Sequence, residues 1–599
     1  MSTAPYPSEI YQQLKAEAEQ KTDALQAKLQ WMSLLRLLLF LAIVVFVWKS
    51  ISTSVGIYIL IAILTAAAFF YLIRFYDKLQ QDVRFYKSLA KLNADELQFL
   101  KGSSMHFANG EEFIDSQHAY SYDLDLFGNG SLYPYLNRCS TQFGKQALAN
   151  LLLQPETGSI QQRQDAIKEL KGKLKFRQHL QAHGALLDTR NKEMLQLNQW
   201  LHAENTFKSV NHYRWLLLFP IASLGCLLYY IITEKDMALN LFYFGFVLNL
   251  FVAFSFGRRI SSQLSLSTSV TSVLQQFAGQ FRQIEQTEFQ SPYLKQLQQR
   301  LKTGEVHASA SIGNLSSLFN YLETIVNLAV SILLNGLFIF HVHILYRLDK
   351  WKNENKHKVS DWLNALGEME SLNCFANLAY NNPDYCWPVL TSNKEWEATD
   401  LGHPLISASK RIPNSISFKD EKFIILTGSN MSGKSTFLRT IGINLVLAKA
   451  GSAVCAQHFS FYPFAIRVSM RITDSLQDSE SFFYAELKRL QSIISQLESK
   501  EPTFILLDEI LRGTNSNDKH SGTIGLIHKM VSLKATGIIA THDLTVANLE
   551  QQYDGYIKNY CFESNIVNDE LLFDYKLKPG ICSKLSASFL MKKMGIIES

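Results

Sequence analysis

Between Leu426 and Thr436 the chain reads Leu-Thr-Gly-Ser-Asn-Met-Ser-Gly-Lys-Ser-Thr, with Gly428, Gly433, Lys434 and Ser435 at the four positions of a phosphate-binding loop. The glycines let backbone N–H groups of Ser429, Asn430, Met431 and Ser432 curl around phosphate, with Thr436 closing the run. The Lys434 ammonium reaches β and γ oxygens, and the Ser435 hydroxyl suits Mg2+. Downstream, the apolar run Phe504 to Leu507 ends in Asp508 and Glu509. Asp508 would hold Mg2+ through a water, and Glu509 would polarise an attacking water as general base. A third run, Gly537 to Ala540, ends in Thr541-His542-Asp543 and places the His542 imidazole where it can sense a terminal phosphate. The predicted cofactors are ATP and Mg2+, and the predicted reaction is Mg2+-dependent ATP hydrolysis with Glu509, His542 and Lys434 as its catalytic set.

Chemistry of this kind needs a sheet whose strands end together. Lys422 to Leu426 carries a strand signal before the loop, and Phe437 to Ala450 has helical spacing after it. The run before Asp508 reads as a buried parallel strand delivering both carboxylates to the sheet's carboxyl edge. Residues 390–599 are therefore expected to form an α/β P-loop ATPase domain with a mainly parallel sheet.

With these residues placed, the chain resembles the MutS family, the dimeric ATPases of DNA mismatch recognition. Thr427 to Thr436 resembles the family's Thr-Gly-Pro-Asn-Met-Gly-Gly-Lys-Ser-Thr loop, and Leu401-Gly402-His403-Pro404 resembles the start of its ATPase domain. Ser481-Phe482-Phe483-Tyr484-Ala485-Glu486 is similar to its Ser-Thr-Phe-Met-x-Glu signature, and Asp508 to Asp518 retains Arg512, Gly513 and Thr514 of its Asp-Glu-x-Gly-Arg-Gly-Thr-Ser segment. The resemblance implies a homodimer in which Ser481 reaches across the interface to the partner's nucleotide, and it implies DNA as a partner. Ser429 stands where the family has proline, Ser432 and Leu511 where it has glycine, and Asn515 where it has serine. None of these changes removes a phosphate, metal or water contact. Farther upstream, Ser131 to Arg138, Thr141 to Gly144 and Arg163 to Ile167 resemble the start of the family's helical core, and Trp362 to Pro388 its return helices.

The chain has 599 residues, is 47% apolar and carries a net charge of +5. That charge is mild for the length and gives no strong electrostatic footprint for nucleic acid. Seven cysteines without a Cys-x-x-Cys read as packing residues in a reducing compartment. Four apolar stretches, Trp31–Trp48, Val55–Ile73, Trp215–Ile232 and Met237–Phe256, are each near the length that crosses a bilayer. They come as two hairpins with short connections, Lys49–Ser54 and Thr233–Asp236, that hold one basic residue each. The outer flanks carry Lys15, Lys21, Lys28, Arg74, Lys78, Arg84, Lys208, Arg214, Arg258 and Arg259. This asymmetry predicts a multi-pass protein of the inner (cytoplasmic) membrane whose ATPase domain faces the cytoplasm. A fifth stretch, Leu318–Leu345, carries a polar stripe of Asn320, Thr324, Asn327, Ser331 and Asn335 and is expected to be one long core helix.

The organisation expected from these readings is a cytoplasmic helix at 1–30, a transmembrane hairpin at 31–76 and linker helices at 77–118. The first part of an all-α helical core follows at 119–214, then the second hairpin at 215–256, lever-like helices and core return at 257–389, and the ATPase domain at 390–599. No Phe-x-Glu mismatch-reading domain is evident in the first 118 residues, and the second hairpin stands in the interval of the family's DNA clamp. Two functions follow: a membrane-anchored ATPase that handles DNA in a mismatch-repair-related role, or a nucleotide-driven switch acting on a membrane or protein partner without DNA. An ABC-type transporter ATPase ranks below both, because no Leu-Ser-Gly-Gly lies between Ser435 and Asp508.

Overall fold

A computed structural model describes residues 6–53, 56–102, 107–185, 191–207, 209–303, 306–471, 482–567, 570–582 and 596. Ser481 and Lys208 lie outside the described residues.

The first two helices, Pro7–Thr53 and Gly56–Leu100, pair along their length. Lys49 lies over Tyr58, Phe40 meets Phe69, Arg36 lies over Tyr76 and Lys21 over Tyr86, a progression that only an antiparallel hairpin gives. Near the connection its apolar side chains stand exposed, among them Phe40, Val44, Leu60 and Ile63. The opposite end docks on the core. Tyr11 donates to Asn381 Oδ1 at 2.8 Å, and the buried Glu96 carboxylate accepts from Arg138 Nε at 2.5 Å and from Asn377 and Asn381 at 3.0 Å. A buried carboxylate is tolerable because these donors satisfy it.

Helices Leu218–Thr233 and Asp236–Ser255 form the second hairpin. They approach so closely that a Cβ on Gly245 would lie 2.8 Å from Ser223 Cβ. These two and the first pair are long and apolar enough to cross a membrane. Helix Gly257–Glu285 then leads away from the second hairpin, packing with Ala308–Glu323.

The stretch Leu318–Leu345, expected as one helix, is three pieces: the end of Ala308–Glu323, the short helix Leu328–Phe338 and the start of Phe340–Asn381. Two local features divide it. Asn327 caps the short helix by accepting from Val330 N–H at 3.2 Å. Ile339, fully buried, takes the left-handed conformation (φ 45°) that β-branched residues otherwise avoid. The 42-residue helix Phe340–Asn381 is the spine of the helical core, packing on Gln142–Leu153 and Ile160–Gly172.

The α/β part holds a six-stranded sheet in the order Glu570–Pro579, Ile557–Val567, Phe423–Gly428, Thr536–Thr541, Thr503–Asp508, Ala465–Ser469. The first two strands pair antiparallel and the rest are parallel. Its three central strands are buried along their whole length, as their unbroken apolar runs require. Ala540 sits opposite Leu426 on one side and Asp508 on the other, so three strands finish level at one edge. A four-stranded sheet from Trp396–Leu401 and its neighbours packs beside it, with Trp396 stacked on Phe418 at 4.8 Å.

Candidate functional site

The level strand ends set the site. Phe423–Gly428 runs two residues past the predicted stretch because it is paired on both sides, and helix Lys434–Ala450 begins three residues earlier than its spacing suggested. The turn between them depends on glycine at two points. Gly433 adopts φ 104°, and a Cβ on Gly428 would lie 2.9 Å from the Phe562 carbonyl oxygen.

Lys434 is the first residue of that helix and is buried. Its ammonium donates to the carbonyls of Gly428 at 2.8 Å and Ser429 at 3.0 Å, so it is held over the loop. Burial lowers its pKa from the usual lysine value, while Glu509 and Asp508 oppose that shift. Ser435 donates to Asp508 Oδ2 at 2.5 Å, and Asp508 Oδ1 is buried without a partner. Burial raises the Asp508 pKa, and the Ser435 hydroxyl acts the other way.

Glu509 and Leu511 both take left-handed backbone angles (φ 48° and 60°), a costly arrangement for residues with a Cβ. The Glu509 N–H is fixed on the Ala540 carbonyl at 2.9 Å. This twist turns its carboxylate toward His542 Nε2, with which it pairs. The His542 hydrogen bond is the main reason the Glu509 carboxyl is held down to about 2. His542 also lies 3.4 Å from the Lys434 ammonium, and Arg512 braces the segment by donating to the Glu509 carbonyl at 2.9 Å. Lys434, Ser435, Asp508, Glu509 and His542 thus converge on one edge of the sheet.

The cleft over the loop has a volume of about 430 Å3 and is lined by Asn430 to Phe437 and Thr440 on one side and by His403, Ile406, Arg411, Ile412 and Tyr575 on the other. Burial, with Arg439 and Arg411 nearby, lowers the His403 imidazole to about 4. The far wall was not legible in the sequence beyond the Leu401 to Pro404 motif: Tyr575 comes from a strand joined to the site only by sheet pairing. Glu486 was visible only as part of a signature. It is buried, and it accepts the Leu511 N–H at 2.6 Å, so it holds the chain just past Glu509.

A second network also escaped the sequence reading. Asp123, in the helical core, accepts the N–H groups of Met470 and Arg471 at 2.7 Å each and pairs with Arg489. Its neighbour Asp125 pairs with Arg471 and, at 3.4 Å, with Arg439 of the helix that follows the loop. Carboxylates more than 300 positions away in sequence therefore grip the helix that follows the loop, through Arg439, and helix Phe482–Glu498, through Arg489.

Residues 117–500 match the MutS domain III family and residues 424–595 match MutS domain V. The chain belongs to the MutS family. Individual MutS-family relatives include the DNA mismatch repair protein MutS of Methanococcoides burtonii, 30% identical over 39% of this chain and 27% of the relative. MutS protein homolog 4 of Homo sapiens is 31% identical over 40% of this chain and 25% of its own length. The DNA mismatch repair protein MutS of Leptospira interrogans is 32% identical over 35% of the chain and 26% of the relative. These matches span about a quarter of each relative's length, and the family assignment covers both the helical core and the sheet around the loop.

Proposed function

We propose that this MutS-family chain is a membrane-anchored, Mg2+-dependent ATPase that works as a homodimer from the cytoplasmic face of the membrane. The observation that carries the reading is the unpartnered, buried Asp508 Oδ1 beside the Ser435 hydroxyl, below a cleft whose floor is the loop. A buried carboxylate oxygen without a donor is costly unless a cation completes it. Among the described residues no cluster of three metal-ligating side chains exists, so a cation here would take further oxygens from an anionic ligand, as Mg2+ does on phosphates. Ser435 and Asp508 would hold that ion, and residues 428–436 would cradle the phosphates. Bound Mg2+ would neutralise charge developing on the terminal phosphate.

The chain's own residues supply the rest. Glu509, kept ionised by His542, is available to accept a proton from water, and His542 and Arg512 fix where its carboxylate points. Replacing Glu509 by Gln should lower turnover by about 10²- to 10⁴-fold while ATP binding persists. Hydrolysis at the parent rate would refute the base assignment.

Dimerisation rests on the family and on Ser481, a hydroxyl more than forty positions past the loop. Mixing a Ser481→Ala chain with a Lys434→Ala chain should restore part of the activity that each lacks alone, because one composite site keeps both groups. Absence of recovery in a proven heterodimer would remove the contact across the interface.

Membrane anchoring is supported by four helices, among the described residues, that are long and apolar enough to cross a bilayer, with flanking charge concentrated outside the hairpin connections. A DNA-handling, mismatch-repair-related role follows the names of the relatives. The second reading, a switch on a membrane or protein partner, is favoured by the exposed apolar hairpin Leu218–Ser255 in the interval of the family's DNA clamp. Salt-dependent DNA binding separates the two, since phosphate contacts weaken steeply with salt.

A further inference from the structure

We infer that the short helix Leu328–Phe338 is buried in the acyl chains of the cytoplasmic leaflet, dipping in and returning without crossing. The inference rests on the membrane reading of the second hairpin given above. Its first support is the path of the chain. The axis bends by 111° between Ala308–Val326 and Leu328–Phe338, so the short helix turns away from the one that leads to it. Thr324 Oγ1 and His341 Nε2 are 3.2 Å apart, so the chain leaves and rejoins the core at one place. The flanking helices are also tied side by side, with Trp351 Nε1 donating to the Ser311 carbonyl at 2.9 Å. Eleven helical residues rise only about 16 Å, roughly half the apolar thickness of a bilayer. A segment that begins and ends together and reaches half way cannot span.

The second support is an inverted face. On a water-exposed helix the polar side faces out. Here Asn335 is buried, held on His341 and donating to Ser331, whereas Leu328 is 72% exposed, Leu333 56% and Phe338 47%. No Asp, Glu, Lys or Arg stands between Glu323 and Arg347. An exposed face this apolar and free of charge matches acyl chains.

Depth comes from the hairpin. Asn249 donates to the Gly336 carbonyl at 2.8 Å, and a Cβ on Gly336 would overlap the Phe246 ring. Asn249 lies six residues from the end of its helix at Ser255, about 9 Å along the axis. The short helix is therefore level with the cytoplasmic half of the hairpin, whose Phe244 and Phe251 are also exposed. It also stands at the head of Phe340–Asn381, the spine that leads to the α/β part.

The test is photocrosslinking of the full-length protein in its native membrane, with a diazirine-bearing leucine analogue placed singly at Leu333, Phe244, Leu315 or Leu487 and phospholipid adducts read by mass spectrometry. Phe244 reports the hairpin, Leu315 the buried core and Leu487 an exposed site in the α/β part. Acyl-chain adducts at Leu333 and Phe244, with none at Leu315 or Leu487, are expected. Adducts at Phe244 with none at Leu333, or a crosslink from Leu333 to a second copy, would overturn the leaflet helix and leave the hairpin standing. Loss of adducts at both would overturn both readings.

Discussion

Strand Phe423–Gly428 and helix Leu218–Thr233 are both dominated by apolar residues, and they meet opposite fates. Every residue of the strand is buried, whereas Ile221, Leu228, Ile231 and Ile232 of the helix are each at least 60% exposed. The backbone explains how each tolerates its position. A strand leaves its N–H and C=O groups to neighbours, and Phe423–Gly428 has one on each side. A helix satisfies its own, so it needs only an apolar medium around its side chains. Apolar sequence states that water is avoided; backbone hydrogen bonding decides whether a segment needs neighbouring strands.

A charge separates the two segments most sharply. Ile425→Asp places an unpaired carboxylate in the apolar cluster on one face of the sheet and should cost more than about 4 kcal/mol, abolishing ATP binding in detergent and in bilayers alike. Leu228→Asp should cost about 2.5–3.5 kcal/mol in the bilayer only, releasing protein on carbonate extraction while leaving the thermal midpoint in detergent nearly unchanged. A collapse of the detergent-solubilised Leu228→Asp protein would show that this face is packed in protein.

A smaller effect is expected where core and sheet meet. Asp123→Ala leaves two backbone N–H groups without their acceptor and takes the carboxylate partner from Arg489, which keeps the Val468 and His118 carbonyls, and should cost about 2–4 kcal/mol. Faster hydrogen exchange at Met470 and Arg471, with turnover reduced about tenfold and ATP affinity little changed, would place Asp123 as a positioning residue for the cleft; unchanged exchange would contradict this.

The mildest test is pH. His403 is held at about 4 in the folded chain against 6.5 as its ordinary value. Between these values the unfolded chain binds a proton that the folded chain does not, so stability falls as pH drops below about 6.5 and levels out near 4. The contribution is at most about 3.4 kcal/mol, and His403→Gln should flatten that part of the melting-temperature profile. A profile unchanged by the substitution would assign the acid sensitivity elsewhere.

Much of the site was legible because its chemistry is local. Gly428, Gly433, Lys434 and Ser435 lie within eight positions, and Asp508 and Glu509 are adjacent after an apolar run. The stretch Leu318–Leu345 reads as one long core helix in the sequence because periodicity continues through a break when the same polar residues serve two helices. Asn335 keeps the helical stripe yet is captured by His341 beyond the turn.

What the sequence determined by itself was the set of reactive groups and the two kinds of apolar segment, since loop glycines, paired carboxylates and hydropathy are properties of neighbours in the chain. Only the tertiary structure decided that Asp508 keeps an oxygen free beside Ser435, that His542 holds Glu509, and that Asp123 and Asp125 brace the cleft from the helical core. Each of these depends on strand register or on a contact across hundreds of residues, and packing, unlike local spacing, fixes such distances.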